Sequence, residues 1–187
     1  MASSHLILGG ARSGKSRFAI ADIPGPARVV FVATAQAGDR DMAARIARHR
    51  AERPRGWLTI EEPFALTPCL ASLSRDVDCV IVDCITVWVA NLLLRGDVDG
   101  DILAAGDEVA AVAARRIVDL TLISNEVGEG VVPATADGVR FRDLLGLVNQ
   151  RLAAAADRVT LMVAGLPVAI KAPRASGSGH DLAPQTA

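Results

Sequence analysis

The sequence predicts an α/β fold in which a mostly parallel sheet carries helices on both faces and ends in a hairpin at one edge. Three observations predict it. Short apolar runs rich in branched residues alternate with amphipathic segments along most of the chain, the pattern of strands buried on both faces by crossover helices. A glycine-rich turn separates the first apolar run from the first helical segment. The 187 residues, 51% hydrophobic and 22% charged, suit one domain with a sizeable core.

Taken in order, His5 to Leu8 is the first strand, followed by Gly9-Gly10 and a helix through Ile23 that Pro24-Gly25-Pro26 breaks. Arg28 to Ala33 is a second, buried strand. Asp39 to Arg53 is helix-like and stopped by Pro54. An extended piece, Trp57 to Glu61, precedes a helix from about Phe64 to Arg75. Cys79 to Asp83 is the clearest central strand, and Ile85 to Leu94 is helical. A turn at Gly96 to Asp101 leads to an alanine-rich helix ending near Arg116, and Leu120 to Ser124 is the next strand. Asn125 to Thr135 reads as a loop, and Asp137 to Ala156 as a long amphipathic helix. Two last strands, Val159 to Ala164 and Val168 to Lys171, are joined by a tight Gly165-Leu166-Pro167 turn. The domain thus spans 1–171, and 172–187, mostly small, polar, Gly or Pro, is expected to be a disordered tail.

Composition excludes several classes. A net charge of −1 argues against whole-molecule nucleic-acid binding, and the absence of tyrosine weakens any base-stacking surface. No apolar stretch reaches the roughly 18 residues of a membrane span. No basic region followed by an apolar run and a cleavage site opens the chain, so no secretory signal is expected. Cys69, Cys79 and Cys84 form no CxxC pair, which suggests neither a disulfide scaffold nor a zinc site. The baseline expectation is a soluble cytoplasmic domain.

Gly9-Gly10-Ala11-Arg12-Ser13-Gly14-Lys15-Ser16 fits G-x-x-x-x-G-K-[ST] without a gap. Glycines let the backbone wrap phosphates closely, and amide N–H groups at a helix N-terminus form the cradle. Lys15 would reach the β- and γ-phosphates and the Ser16 hydroxyl would ligate Mg²⁺. The bland alternative is an accidental glycine-rich turn. Against it, lysine is rare here: Lys15 and Lys171 stand against eighteen arginines. Asp83, ending the run Val80-Ile81-Val82, is where a carboxylate holding Mg²⁺ indirectly belongs, although a polar strand cap would look the same. With this motif the fold class becomes a P-loop NTPase-like three-layer sandwich. The chain has no Asn-Lys pair for the N-K-x-D motif of regulatory GTPases, and a small phosphotransferase is the best reading.

Arg40, Arg45, Arg48, Arg50, Arg53 and Arg55 cluster around His49. On a helix Arg45, His49 and Arg53 fall near one face. Neighbouring cations favour neutral, nucleophilic imidazole. Three readings stay open on these residues alone: a phosphate clamp, a His49 nucleophile that forms a phosphoramidate, or an arginine-rich solvent face with an incidental histidine.

The phosphate loop, Met42-Ala-Ala-Arg-Ile46 with His49-Arg50, and Asp83-Cys-Ile-Thr86 with Asn91-Leu-Leu93 together resemble one family. Ser124-Asn-Glu-Val-Gly128 with Gly130 and Pro133, and Val148-Asn-Gln-Arg-Leu-Ala-Ala-Ala-Ala-Asp157, extend the likeness over nearly residues 5 to 171. The family is the bifunctional adenosylcobinamide kinase/adenosylcobinamide-phosphate guanylyltransferase family of cobalamin biosynthesis. The resemblance implies phosphorylation of adenosylcobinamide by a nucleoside triphosphate, ATP or GTP. GMP would then pass from GTP, through a guanylyl-histidine matching His49, to adenosylcobinamide phosphate. It implies nucleotide contacts at Gly9 to Ser16, Thr34-Ala35-Gln36, Arg50-Ala51-Glu52-Arg53, Glu61 and Asp83, with Glu61 preferred to its neighbour Glu62 as acceptor for guanine N1–H and N2–H₂. It implies corrinoid or subunit contacts for Asn125, Glu126, Arg140 and Asn149, with helix packing as the alternative at Asn149, and a homotrimer. The competing readings are a single-activity small-molecule kinase and a nucleotide-binding module without transfer chemistry.

Overall fold

The computed structural model describes residues 2–25, 27–36, 50, 53–54, 56–73 and 76–172. Its strands are β1 (Ser4–Gly9), β2 (Val29–Ala33), β3 (Leu58–Glu61), β4 (Cys79–Asp83), β5 (Asp119–Ile123), β6 (Arg158–Val163) and β7 (Leu166–Lys171). They form one sheet in the order β3-β2-β4-β5-β1-β6-β7. The first six in that order are parallel to their neighbours, and β7 alone pairs antiparallel. All six parallel strands therefore deliver their C-terminal residues to one edge, where open α/β sheets place ligands.

The helices are α1 (Lys15–Ala21), α2 (Leu66–Ala71), α3 (Ile85–Arg95), α4 (Asp99–Arg115) and α5 (Ala136–Ala155). Side chains alternate across a strand, so each strand feeds two cores. Leu6, Val30, Val32, Val80, Val82, Leu120 and Leu122 meet Trp88, Ile102, Leu145 and Val148 from α3, α4 and α5 on one face. Ile7, Phe31, Ile81 and Ile123 meet Ala19 of α1 on the other. This is the expected three-layer sandwich with a C-terminal edge hairpin. Buried Gly106 lets α4 and α5 approach, since a Cβ there would lie 3.2 Å from Val148 Cγ2.

The differences from expectation sit at element ends. Asp99 to Asp101 belong to α4 and not to a turn, because Asp99 and Asp101 occupy its first turn, where carboxylates offset the unpaired N–H groups. The helix expected over 64–75 is only Leu66–Ala71, preceded by a carboxylate-capped turn described below. The hairpin turn is Ala164-Gly165, with φ of 51° and 84°, the paired positive values that match strand twist. Leu166 and Pro167 are therefore strand residues. Pro167 is tolerated because β7 is the edge strand and a missing N–H costs least there. Most of the segment 39–53, and residues 173–187 of the tail, lie outside the described residues. No helix among the described residues is long and apolar enough to cross a membrane.

Candidate active site

The phosphate loop leaves β1 at Gly9, whose φ is 148° and where a Cβ would stand 2.6 Å from the Met162 carbonyl oxygen. Only glycine fits. Arg12 takes a positive φ of 58° at the loop's exposed tip, and Gly14, with φ of 93°, is the N-cap of α1. The Lys15 ammonium is buried and donates to the carbonyls of Gly9 and Gly10 at 2.9 and 2.7 Å. Backbone bonds fix the loop from two sides: Gly165 N–H donates to the Ser13 carbonyl at 3.1 Å, and Glu126 N–H to that of Gly9 at 3.1 Å. The β6–β7 turn is thus a wall of the loop, a role the sequence did not suggest.

Ser16 Oγ donates to Asp83 Oδ2 at 2.8 Å. The two sit on different elements, the first turn of α1 and the end of β4, so the sheet register brings the motif's hydroxyl and carboxylate to one point. Beside them Cys84 is partly buried, and desolvation pushes its thiol up to about 11, which leaves it protonated. Thr34, fully buried, uses its hydroxyl both to accept from Cys84 N–H at 2.9 Å and to donate to the Cys84 carbonyl at 2.8 Å. Asn91 Nδ2 donates to the carbonyls of Thr34 and Pro63 at 2.8 and 3.1 Å. Thr34 therefore clasps the ends of β2 and β4 together, while Ala35 is half-buried and Gln36 exposed.

Arg53 lies with its guanidinium 3.7 Å over the Phe31 ring, and its NH1 donates to Thr59 Oγ1 at 3.1 Å. Burial lowers its pKa, with the field of Asp83 opposing that and Arg50 adding to it. Arg50 pairs with Glu61 at the exposed end of β3. Glu62 has a different task, accepting from Phe64 N–H and Ala65 N–H at 2.9 and 2.7 Å and so building the turn into α2. That leaves Glu61 as the carboxylate of the pair directed outward.

A family model described as cobinamide kinase / cobinamide phosphate guanyltransferase matches residues 5–170. The chain belongs to this family. Among relatives of the cobinamide kinase/guanyltransferases, the bifunctional adenosylcobalamin biosynthesis protein CobP of Pseudomonas aeruginosa is 47% identical over 171 residues, covering 89% of this chain and 96% of that protein. The bifunctional adenosylcobalamin biosynthesis proteins CobU of Salmonella typhimurium and Escherichia coli are 44% and 41% identical, each over 89% of this chain and 98% of its own length.

On this family member the structure brings Gly9 to Ser16 and Asp83 together, with Arg53 within the field of Asp83. His49, Ala51 and Glu52 lie outside the described residues. Asn149 is buried and donates from Nδ2 to the Asn125 carbonyl at 3.1 Å, while Asn125 N–H donates to Thr86 Oγ1 at 2.6 Å. Arg140 pairs with Asp99 and the Asp97 carbonyl at 2.6 and 2.9 Å, stapling α5 to the start of α4. Thr86 and Asn91 were visible in the sequence only as parts of family motifs. Their polar side chains, on a helix α3 that is otherwise apolar up to its terminal Arg95, are the signal that they hold something.

Proposed function

We propose that this chain phosphorylates adenosylcobinamide with a nucleoside triphosphate, ATP or GTP. It then transfers GMP from GTP to adenosylcobinamide phosphate, giving adenosylcobinamide-GDP and pyrophosphate. Membership of the family supports the reading. The observation that carries it is the meeting of Ser16 and Asp83 at 2.8 Å beside a phosphate loop that holds Lys15.

A hydroxyl and a carboxylate are the hard oxygen donors Mg²⁺ prefers, and a site with so few protein ligands leaves positions for water and phosphate oxygens. Ser16 would hold the ion directly and Asp83 through water. Bound there, Mg²⁺ would neutralise charge between the β- and γ-phosphates. Loop amides would orient the phosphates, and Lys15 would turn from the Gly9 and Gly10 carbonyls toward phosphate oxygens that gain charge in the transition state. In the kinase step the acceptor hydroxyl oxygen bonds the γ-phosphorus, its proton leaves, and the bridge to the β-phosphate breaks.

In the second reaction a His49 ring nitrogen attacks the α-phosphorus of GTP and pyrophosphate departs. An oxygen of adenosylcobinamide phosphate then displaces the histidine. Arg50 and Arg53 would steady the phosphates, and Glu61 would accept from guanine N1–H and N2–H₂. A cytoplasmic homotrimer completes the reading. Leu166, Val168 and Ile170, all exposed along β7, supply an apolar edge that self-association would cover.

The test is incubation with Mg²⁺ and GTP labelled on the α-phosphate, followed by denaturation. Acid-labile, alkali-stable label on the chain, absent from His49→Asn, is the expected result. Folded, GTP-binding protein that takes no label would reduce the function to a plain kinase.

A further inference from the structure

The parallel pairing of β2 with β4 ends at Ala33 opposite Asp83, and the next residue of each strand leaves the ladder. On β4 that residue is Cys84, the N-cap of α3, so Asp83 stands at a short joint between strand and helix. Thr34 closes the joint from the β2 side. Its N–H donates to the Asp83 carbonyl at 3.2 Å. Its hydroxyl accepts from Cys84 N–H at 2.9 Å and donates to the Cys84 carbonyl at 2.8 Å, and its own carbonyl accepts from Asn91 Nδ2 of α3 at 2.8 Å. Every polar group of Thr34 is thus bonded to the segment that carries Asp83.

The family resemblance counts Thr34 among the nucleotide contacts. The structure leaves it no surface to offer a nucleotide: the residue is fully buried, and a hydroxyl has one hydrogen to give, which Cys84 already receives. What Thr34 does govern is the direction of Asp83. The Asp83 carboxylate accepts from Ser16 Oγ at 2.8 Å, a bond that a metal ion held by the two residues has to break. Once it is broken, the main chain at 83–84 directs the carboxylate, because an aspartate side chain is short and follows its backbone. The Thr34 hydroxyl holds that main chain on both sides of the Cys84 α-carbon.

We infer that Thr34 is a positioning residue for Asp83, whose carboxylate it aims at the Ser16 hydroxyl, where Mg²⁺ would sit, by fixing the Cys84 main chain. The inference rests on the metal reading above and adds to it the residue that orients the metal-holding carboxylate. Loss of a group that orients a metal-holding side chain lowers metal affinity about 10- to 100-fold. Removing the Thr34 hydroxyl therefore weakens nucleotide binding only when Mg²⁺ accompanies the nucleotide.

The experiment is calorimetric titration with a non-hydrolysable ATP analogue, once in Mg²⁺ and once in EDTA, of the wild type, Thr34→Val, Thr34→Ser and Asp83→Asn. Thr34→Val keeps nearly the same shape without the hydroxyl. It should lower affinity about tenfold in Mg²⁺ and leave the affinity in EDTA within about twofold of the wild type. Thr34→Ser keeps the hydroxyl and should match the wild type in both. Thr34→Val combined with Asp83→Asn should bind no more weakly in Mg²⁺ than Asp83→Asn alone, because both changes act on one carboxylate. If Thr34→Val does not fold, Asn91→Leu loosens the same clamp at the Thr34 carbonyl and must show the same loss confined to Mg²⁺. Equal losses in Mg²⁺ and EDTA, or additive losses in the double variant, would overturn the inference and make Thr34 a general support of the sheet. So would wild-type affinity of Thr34→Val in Mg²⁺. A wild type that binds the analogue equally with and without Mg²⁺ would remove the metal reading and this inference with it.

Discussion

His5 makes the stability of this protein depend on pH in a direction that its surroundings dictate. It lies in β1, the strand that delivers the phosphate loop, and is 4% exposed. Nδ1 stands 2.9 Å from Arg158 NH2 and 3.3 Å from Asp22 Oδ2, and Nε2 stands 2.8 Å from Thr160 Oγ1. The Phe18 ring packs edge-on against it. With the Arg158 guanidinium donating to Nδ1, the neutral ring carries its hydrogen on Nε2 and gives it to Thr160. Burial first, and the Arg158 charge second, lower the pKa from 6.5 to about 4, with Asp22 opposing.

The unfolded chain therefore takes up a proton near pH 6.5 that the folded protein refuses until about pH 4. Between those values the unfolded state binds more protons, so stability is full above the window and falls as pH is lowered through it. From pH 7 to pH 5 the loss is about 2 kcal/mol, and about 3 kcal/mol across the whole window. The assay is urea denaturation of the wild type and of His5→Gln at both pH values. Glutamine can still accept from Arg158 and donate to Thr160 but does not titrate. Other groups cancel in the comparison, and the wild type should lose about 2 kcal/mol more than the variant on going to pH 5. Equal losses would refute the account of His5 as a buried, neutral partner of Arg158.

Three further outcomes follow from the geometry. Gly9→Ala should cost about 2 kcal/mol or more in denaturant titration, from positive φ and the clash with the Met162 carbonyl, and should abolish nucleotide binding. Asp83→Asn keeps a partner for the Ser16 hydroxyl but removes the charge. It should leave the melting temperature nearly unchanged and lower kinase kcat at least about a hundredfold, because the group that would hold Mg²⁺ at the reacting phosphates loses its charge. Lys171→Met removes an ammonium that donates to the carbonyls of Ala153, Ala154 and Ala156 at 3.0, 2.9 and 2.5 Å. About 1 kcal/mol of unfolding free energy should go with it, and nucleotide affinity should not move.

The two lysines show what a sequence can and cannot say. Their scarcity marks both as specific, and both are: each ammonium is held by main-chain carbonyls. Motif spacing identifies the task of Lys15, because phosphate binding demands a lysine at that offset from two glycines. Nothing local identifies Lys171 as the C-terminal cap of α5, since its partners lie on another element and meet it only through the β6–β7 pairing. The same division holds elsewhere. Strand cores such as Val80-Ile81-Val82 were legible from their branched runs. The turn at Ala164-Gly165 was displaced in the sequence reading by Pro167, a breaker in most contexts but harmless on an edge strand. The start of α4 was hidden because Asp and Gly signal turns, and only the helix behind them turns the two aspartates into first-turn residues.

The carboxyl edge of the sheet sorts its own polar groups, and that sorting argues for which of them meet substrate. Thr34, Glu62, Thr86 and Asn149 each bond the backbone of a neighbouring segment. Substituting any of them would move a loop rather than remove a contact. Ser16 and Asp83 bond each other across two elements, and Arg50 and Glu61 do the same at the exposed end of β3. Such side-chain pairs can open toward a ligand without unfolding anything, because neither partner secures the backbone. On the proposed function, Mg²⁺ with its triphosphate would take the place of the Ser16 to Asp83 bond, and a guanine that of the Arg50 to Glu61 pair. The committed groups hold the strand ends and loops in register so that these pairs stand ready on one surface. Family resemblance picked out Thr34 together with Glu61 and Asp83 as nucleotide contacts. Their bonding differs: Thr34 secures the backbone at the ends of β2 and β4, whereas the carboxylates of Asp83 and Glu61 are bonded to the side chains of Ser16 and Arg50.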